Sequence, residues 1–220
     1  MRSDRKESHV SYELRGIRKG RVIAGMIGLA LAAMVVIPTY VFAAATVEVK
    51  VDDDEFIART VNTSVGSSVH WSRAAGSDDD HNISQNNGLF TSGAPTDGPI
   101  DFTKTFSAGT FAYQCDVHGS DMSGTVKVKP KITAAPIGKP FTVTWANSAT
   151  DTGTAFDVRY KVGSGAYKTW KSDTAAAKGV FGKGGAPVNV QSGKTYTFQV
   201  RSQTSNTAVS GWSPASSFRA

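Results

Sequence analysis

From Thr46 onward, hydrophobic and polar positions alternate in short runs. Val47, Val49 and Val51 alternate with Thr46, Glu48 and Lys50, which predicts a strand with one buried face, ended by Asp52-Asp53-Asp54. Val69 and Trp71 share a face of a later strand, and His70 points the other way. Phe102 to Phe106 and Thr110 to Gln114 read as strands joined by Ser107-Ala108-Gly109. Gly124 to Lys129 follows, with Val126 and Val128 inward. The same period returns in Phe141, Val143 and Trp145, in Phe156, Val158 and Tyr160, and in Tyr196, Phe198 and Val200. Turn residues punctuate these runs at Asn86-Asn87-Gly88, Gly93 to Pro99, Gly163-Ser164-Gly165, Gly182 to Gly185 and Ser192-Gly193. No long amphipathic helical pattern interrupts them, so the expected fold class is all-β.

Before Thr46 the pattern differs. Arg15, Arg18, Lys19 and Arg21 precede an uncharged apolar run from Val22 to Ala45. A basic flank followed by an apolar core reads as an export signal. Val41-Phe42-Ala43 and Ala43-Ala44-Ala45 both satisfy the small-x-small cleavage rule. An uncleaved anchor is the alternative, because the run is long enough to span a bilayer. Residues 1–45 are therefore read as signal peptide or membrane anchor. The rest of the chain is expected outside the cytoplasm, either secreted or held at the outer face of the cytoplasmic membrane.

The chain of 220 residues is long enough for two small domains. Charge separates them. Residues 46–130 carry six Lys/Arg against twelve Asp/Glu, and residues 131–220 carry eleven against three. The net charge of +6 thus averages an acidic unit with a basic one and is no sign of nucleic-acid binding. Pro130 and Pro136 flank the change of sign, so 131–136 is read as a short semi-rigid linker between domains at 46–130 and 137–220.

The acidic unit holds the candidate chemistry. Cys115 is the only cysteine, so it can form no internal disulfide. His118 and Met122 lie within eight residues of it, and His81 lies 34 residues upstream. Met122 is the only methionine outside the leader. Each residue alone has an ordinary reading as core or surface. Together, one thiolate, two imidazoles and one thioether are the ligand set of a mononuclear blue-copper site. Thiolate and thioether suit Cu(I), imidazole suits both oxidation states, and a trigonal Cys-His-His set with a weak axial Met changes little on oxidation. His70, on a strand face outside this group, reads as an exposed strand histidine, and His9 carries no site signal.

Residues 46–130 resemble a cupredoxin of the plastocyanin, pseudoazurin and amicyanin kind. The matching text is Val69-His70-Trp71, His81-Asn82-Ile83, Gly88-Leu89-Phe90-Thr91-Ser92-Gly93, and Phe106 through Cys115, followed by His118, Met122 and Gly124-Thr125-Val126-Lys127-Val128. The resemblance implies a Greek-key sandwich with one copper near one end. It implies His81, Cys115 and His118 as equatorial ligands and Met122 as the axial one. Asn82 would brace the two ligand segments and donate toward sulfur. The His-x3-Met spacing is intermediate between shorter and longer loops of those families. Gly119-Ser120 stands where relatives often carry Pro or an aromatic residue. Asp78-Asp79-Asp80 reads as a solvated loop or a docking patch, and carboxylates there would lower the copper potential.

Residues 137–220 resemble an immunoglobulin-like, fibronectin type III module. Trp145, Phe156-Asp157-Val158-Arg159-Tyr160, Tyr196 to Arg201 and Gly211-Trp212-Ser213 carry the likeness. Its expected role is a spacer or contact with an anionic cell surface. Multicopper enzymes need further histidines, commonly flanking the cysteine; here Gln114 and Asp116 flank it. The expectation is therefore no enzyme. The chain reads as an exported carrier of single electrons to and from redox-protein partners. The alternative is a cell-surface copper-binding or adhesion protein without electron shuttling.

Overall fold

Alternation becomes strand almost everywhere it was expected. The computed structural model describes residues 45–74, 79–147, 152–204 and 208–220. The signal peptide or membrane anchor expected over 1–45 lies, but for Ala45, outside the described residues. The first set of strands is β1 (Thr46–Asp52), β2 (Glu55–Ile57), β3 (Thr60–Ser64), β4 (Ser68–Arg73), β5 (Ser84–Gln85), β6 (Ile100–Thr105), β7 (Gly109–Cys115) and β8 (Gly119–Lys129). They pair as two sheets, β2-β1-β4-β6 and β3-β8-β7-β5. β1 runs parallel to β4, with Val47 opposite Val69 and Val49 opposite Trp71. β7 runs antiparallel to β8. The inward residues Val49, Val51, Phe56, Val69, Trp71, Phe111 and Tyr113 are fully buried between the sheets. Phe106 lies one residue past β6 and is also buried, where the sequence pattern had placed it at the strand end.

The second set is β9 (Lys131–Thr133), β10 (Phe141–Thr144), β11 (Ala155–Val162), β12 (Lys168–Thr174), β13 (Lys178–Phe181), β14 (Thr195–Gln203) and β15 (Ser216–Arg219). A three-stranded sheet, β13-β10-β9, faces a four-stranded one, β12-β11-β14-β15. Phe141, Trp145, Tyr160, Phe181, Tyr196 and Phe198 fill the space between them. The described protein is all-β.

Half of the stretch read as a linker, 131–136, is strand. Lys131–Thr133 is β9, paired antiparallel with β10, and Ile132 packs on the second core. Strand β8 ends at Lys129, so only Pro130 separates it from β9. Two prolines and a charge change suggested a spacer; Ile132 packing on the second core makes its first three residues an edge strand.

The two sandwiches meet through buried polar groups. Thr110 N–H donates to Gly211 O at 3.0 Å, and Gly211 N–H donates back to Thr110 O at 2.8 Å. Ala108 N–H donates to Trp145 O. The buried Ser107 hydroxyl bonds the Thr152 hydroxyl at 2.7 Å and the Ser202 hydroxyl at 2.8 Å, and Ser202 Oγ donates to Ala108 O. Buried hydroxyls are tolerated only when bonded, so this group favours one fixed docking. Small side chains cross over as well: Ala208 joins the first core and Ala108 the second.

Strands β7 and β8 decide where the site lies. β7 starts at the second sandwich, at Gly109–Thr110, and ends at Cys115. At about 3.3 Å per residue, its two ends are roughly 20 Å apart. β8 returns from His118 and Gly119 to Pro130, whose carbonyl accepts from Ser216 Oγ. The cysteine end is therefore the end away from the second sandwich.

Candidate metal centre

Cys115 is the last residue of β7, on the inward face with Gly109, Phe111 and Tyr113, and is fully buried. Beyond it Asp116, Val117 and His118 form a turn, and Cys115 pairs with Gly119 on the return. Gly119 has φ +57°, a conformation that side chains with a Cβ disfavour.

The register then jumps. Gln114 pairs with Ser123 and Cys115 with Gly119, leaving Ser120, Asp121 and Met122 bulged out of the ladder. A bulge re-aims side chains, and Met122 comes out buried among the core residues that include Cys115. Met122 thus belongs to the start of β8 and not to a loop shared with Cys115 and His118. Arg59 holds the bulge from outside, donating to Ser123 O at 3.1 Å and Asp121 O at 3.3 Å.

His81 arrives from a separate segment. Its N–H donates to Thr96 O at 3.0 Å and its carbonyl accepts from Thr96 N–H at 3.1 Å. Asn82 follows and is buried. Asn82 Oδ1 accepts from the Asp116 N–H at 2.8 Å, and Nδ2 donates to Asp116 Oδ2 at 2.7 Å and to Gly93 O at 2.8 Å. Asn82 thus ties the segment of His81 to the turn after Cys115. Its side chain grips the residue after Cys115, and both of its N–H groups are spent there and on Gly93 rather than on the sulfur.

This brings three donors together. His81, Cys115 and His118 each offer one ligand atom within 4.8 Å of the others. Cys115 Sγ lies 3.9 Å from His81 Nδ1. The two imidazole rings lie 4.9 Å apart at 34°. His118 Nδ1 is buried without a hydrogen-bond partner among the described residues. Its other nitrogen, Nε2, faces outward, 3.6 Å from Asp54 Oδ1 and 3.9 Å from Asp79 Oδ2. His81 Nε2 is 3.7 Å from Asp53 Oδ1. His81 thus turns Nδ1 toward the sulfur, while His118 keeps Nδ1 buried and sets Nε2 near two carboxylates. These separations exceed a direct hydrogen bond, so the carboxylates act by charge or through water.

The donor chemistry fits a soft transition metal. A buried thiol and two imidazole nitrogens suit copper or zinc; Met122 is buried in the same core cluster as Cys115. Burial holds His81 below the ordinary histidine value, with the charges of Arg73 and His118 adding and those of Asp53 and Asp79 opposing. A neutral imidazole is the form that binds a metal.

The acidic rim was only partly visible in the sequence. Asp79 and Asp80 belong to the acidic run already noted, while Asp78 lies outside the described residues. Asp53 and Asp54 were read merely as the end of a strand. The turn they form between β1 and β2 folds beside the histidines, and only sheet pairing shows this. His70 is placed away from the group, as expected, but it is half-buried. Its Nδ1 bonds Glu48 Oε2 and its Nε2 bonds Asp101 Oδ1, each at 2.7 Å, across β1, β4 and β6. His9 lies outside the described residues.

No protein-family model matches the chain, and no curated protein matches it. Among solved structures the chain is similar to amicyanin from Paracoccus versutus, at 22% identity and a TM-score of 0.32, over 38% of this chain and 80% of that one. It is similar to a Sinorhizobium pseudoazurin at 23% identity and a TM-score of 0.30, over 38% of this chain and 73% of that one. A copper-containing nitrite reductase from Thermus scotoductus matches at 18% identity and a TM-score of 0.33, over 38% of this chain and 22% of the enzyme.

Proposed function

We propose that the first sandwich is a cupredoxin that holds one type 1 copper ion and carries single electrons outside the cytoplasm. One observation carries this reading. A buried thiol lies 3.9 Å from Nδ1 of one imidazole, and a second imidazole, with its Nδ1 buried and unpartnered among the described residues, completes a group whose donor atoms all lie within 4.8 Å of one another. His81, Cys115 and His118 would hold the ion, with Met122 as the weak fourth ligand. Copper, when bound, supplies the one-electron couple.

The chain's own residues do the rest. Asn82 ties the His81 segment to the Cys115 turn, so two ligands distant in sequence keep a fixed separation. A fixed ligand frame lowers the rearrangement each electron transfer requires. Sandwich packing excludes water from the sulfur, since Cys115 and His81 are fully buried. His118 alone of the three reaches the surface, with 17% of its side chain exposed, and its edge is the route for the electron. The partner would be a redox protein. Catalysis of a substrate reaction is not part of this reading, because the donors suffice for one ion.

The second sandwich is read as a fibronectin type III-like module. Its seven strands in three- and four-stranded sheets support that reading, with a spacer or cell-surface contact as its role. A Cu(II)-loaded chain should show an intense thiolate-to-copper band in the visible, together with a reversible one-electron couple. Cys115→Ser should abolish the band. Colourless, redox-silent binding would instead leave a copper-holding protein that shuttles no electrons.

A further inference from the structure

We propose that Arg73 is the positioning residue for His81, a cationic clamp that holds the histidine segment in register and sets its electrostatic surroundings. The proposal rests on the metal-centre reading for its consequence, but the clamp itself is visible without metal. Arg73 is the last residue of β4, opposite Ile100 of β6, and is half-buried. Its Nη2 donates to Thr96 O at 2.7 Å and to Gly98 O at 2.9 Å. Its Nη1 donates to Asp79 O at 3.2 Å.

These acceptors are not scattered. Asp79 lies two residues before His81. Thr96 is the residue whose backbone bonds that of His81 in both directions. Thr96 O therefore accepts from His81 N–H and from the guanidinium together. Gly98 continues the same return segment and leads into β6 at Ile100. One planar cation thus joins the approach to His81 with the segment that pairs to it. His81 has no long strand to hold it: its pairing with Thr96 is an isolated bridge. The clamp adds to the two hydrogen bonds with Thr96 and to the Asn82 side chain in fixing this segment.

The residue type matters. Guanidinium presents several N–H groups in a rigid fork, whereas a lysine ammonium is a compact point charge that cannot span carbonyls from two segments in one plane. Charge matters separately. A fixed cation against the His81 segment favours the less positive oxidation state of a bound metal. It opposes the carboxylates of Asp53, Asp54 and Asp79, which favour the more positive one.

Arg73→Lys and Arg73→Gln in the full chain separate the two contributions. In the metal-free protein, amide hydrogen exchange at His81 and Thr96 should rise by about tenfold or more in both variants, the size expected for losing a hydrogen bond to a charged group. Exchange at Thr110, which bonds Gly211 at the far end of β7, should stay within about twofold of the parent on the same reasoning. Copper release should quicken in both variants. The reduction potential should fall in Arg73→Gln, while Arg73→Lys stays nearer the parent. Unchanged exchange at His81 and Thr96 in both variants overturns the clamp. A uniform rise that includes Thr110 also overturns it, because Arg73 would then stabilise the sandwich in general. If the parent shows no thiolate-to-copper band, the copper reading falls, and the metal-free exchange comparison still decides the clamp.

Discussion

Met122 and His70 show how much a single side chain's surroundings decide. Met122 is buried with Cys115 in one cluster, on a bulge that exists to turn it inward. Leucine has nearly its volume and no sulfur, so Met122→Leu should cost less than about 1.5 kcal/mol in stability. It should raise the copper potential, read by voltammetry; an unmoved potential would remove Met122 from the ligand set. His70 is held by two carboxylates. The hydrogen bond to Asp101 is the largest cause raising its pKa above the ordinary 6.5; burial opposes it, and the hydrogen bond to Glu48 and the charges of both carboxylates add to the rise. The folded state therefore binds this proton more tightly than the unfolded chain does. Its stabilising contribution is complete below pH 6.5 and is lost as pH rises through the folded value. The urea midpoint of the parent should exceed that of His70→Gln most clearly on the acid side, and the gap should narrow with rising pH. A gap that widens with pH would show that the carboxylates do not hold the charged imidazole.

At the level of strands, β7 and β8 act as a matched pair. Tyr113 stacks edge-on with Phe56 at 4.9 Å and with Trp71 at 5.4 Å, directly beneath the cysteine turn. Burial pushes its phenol up to about 12, against an opposing contribution from Trp71, so it stays neutral in the core. Its place opposite Gly124 is what makes the close packing feasible. A Cβ at position 124 would stand 2.4 Å from the Tyr113 ring. Both strands are central to their sheet and neither ring nor backbone can retreat. Gly124→Ala should therefore destabilise by about 1–3 kcal/mol, the usual cost of overpacking, and should weaken copper retention by shifting the bulge. Equilibrium unfolding and copper competition measure the two effects. A neutral substitution would mean the pair is looser than its geometry indicates.

Across the whole molecule, charge and shape divide the labour. The ligand group sits at one end of the first sandwich, and its exposed histidine edge is ringed by Asp53, Asp54 and Asp79. The basic second sandwich docks at the other end through bonded hydroxyls and backbone pairs. Among the described residues it contributes none to the group of His81, Cys115 and His118. Long-range charge acts on encounter rates and weakens with salt. Oxidation of the Cu(I) protein by tris(phenanthroline)cobalt(III), a trication, should slow as salt is added. Oxidation by hexacyanoferrate(III), a trianion, should speed up. Asp54→Asn with Asp79→Asn should shrink both slopes; slopes of the reverse sign would show that the basic sandwich, not the acidic rim, governs access to the centre.

Periodicity and residue chemistry carried much of this from the chain alone. Period-two alternation around Val47–Val51, Phe141–Trp145 and Tyr196–Val200 is local physics, because a strand exposes alternate residues to opposite faces. The donor types at 81, 115, 118 and 122 likewise point to soft-metal chemistry before any fold is known, and the structure gathers the first three. What the chain did not disclose depends on which strands become neighbours. The turn at Asp53–Asp54 reaches the histidines because β1 lies beside β4. Arg73 reaches Thr96 and Gly98 because β4 pairs with β6. The bulge that buries Met122 is a mismatch of register between two strands. The proline-flanked stretch became β9 because one isoleucine found the second core. Each of these is a contact between residues far apart in sequence, set by pairing and burial of the whole, and no local pattern encodes it.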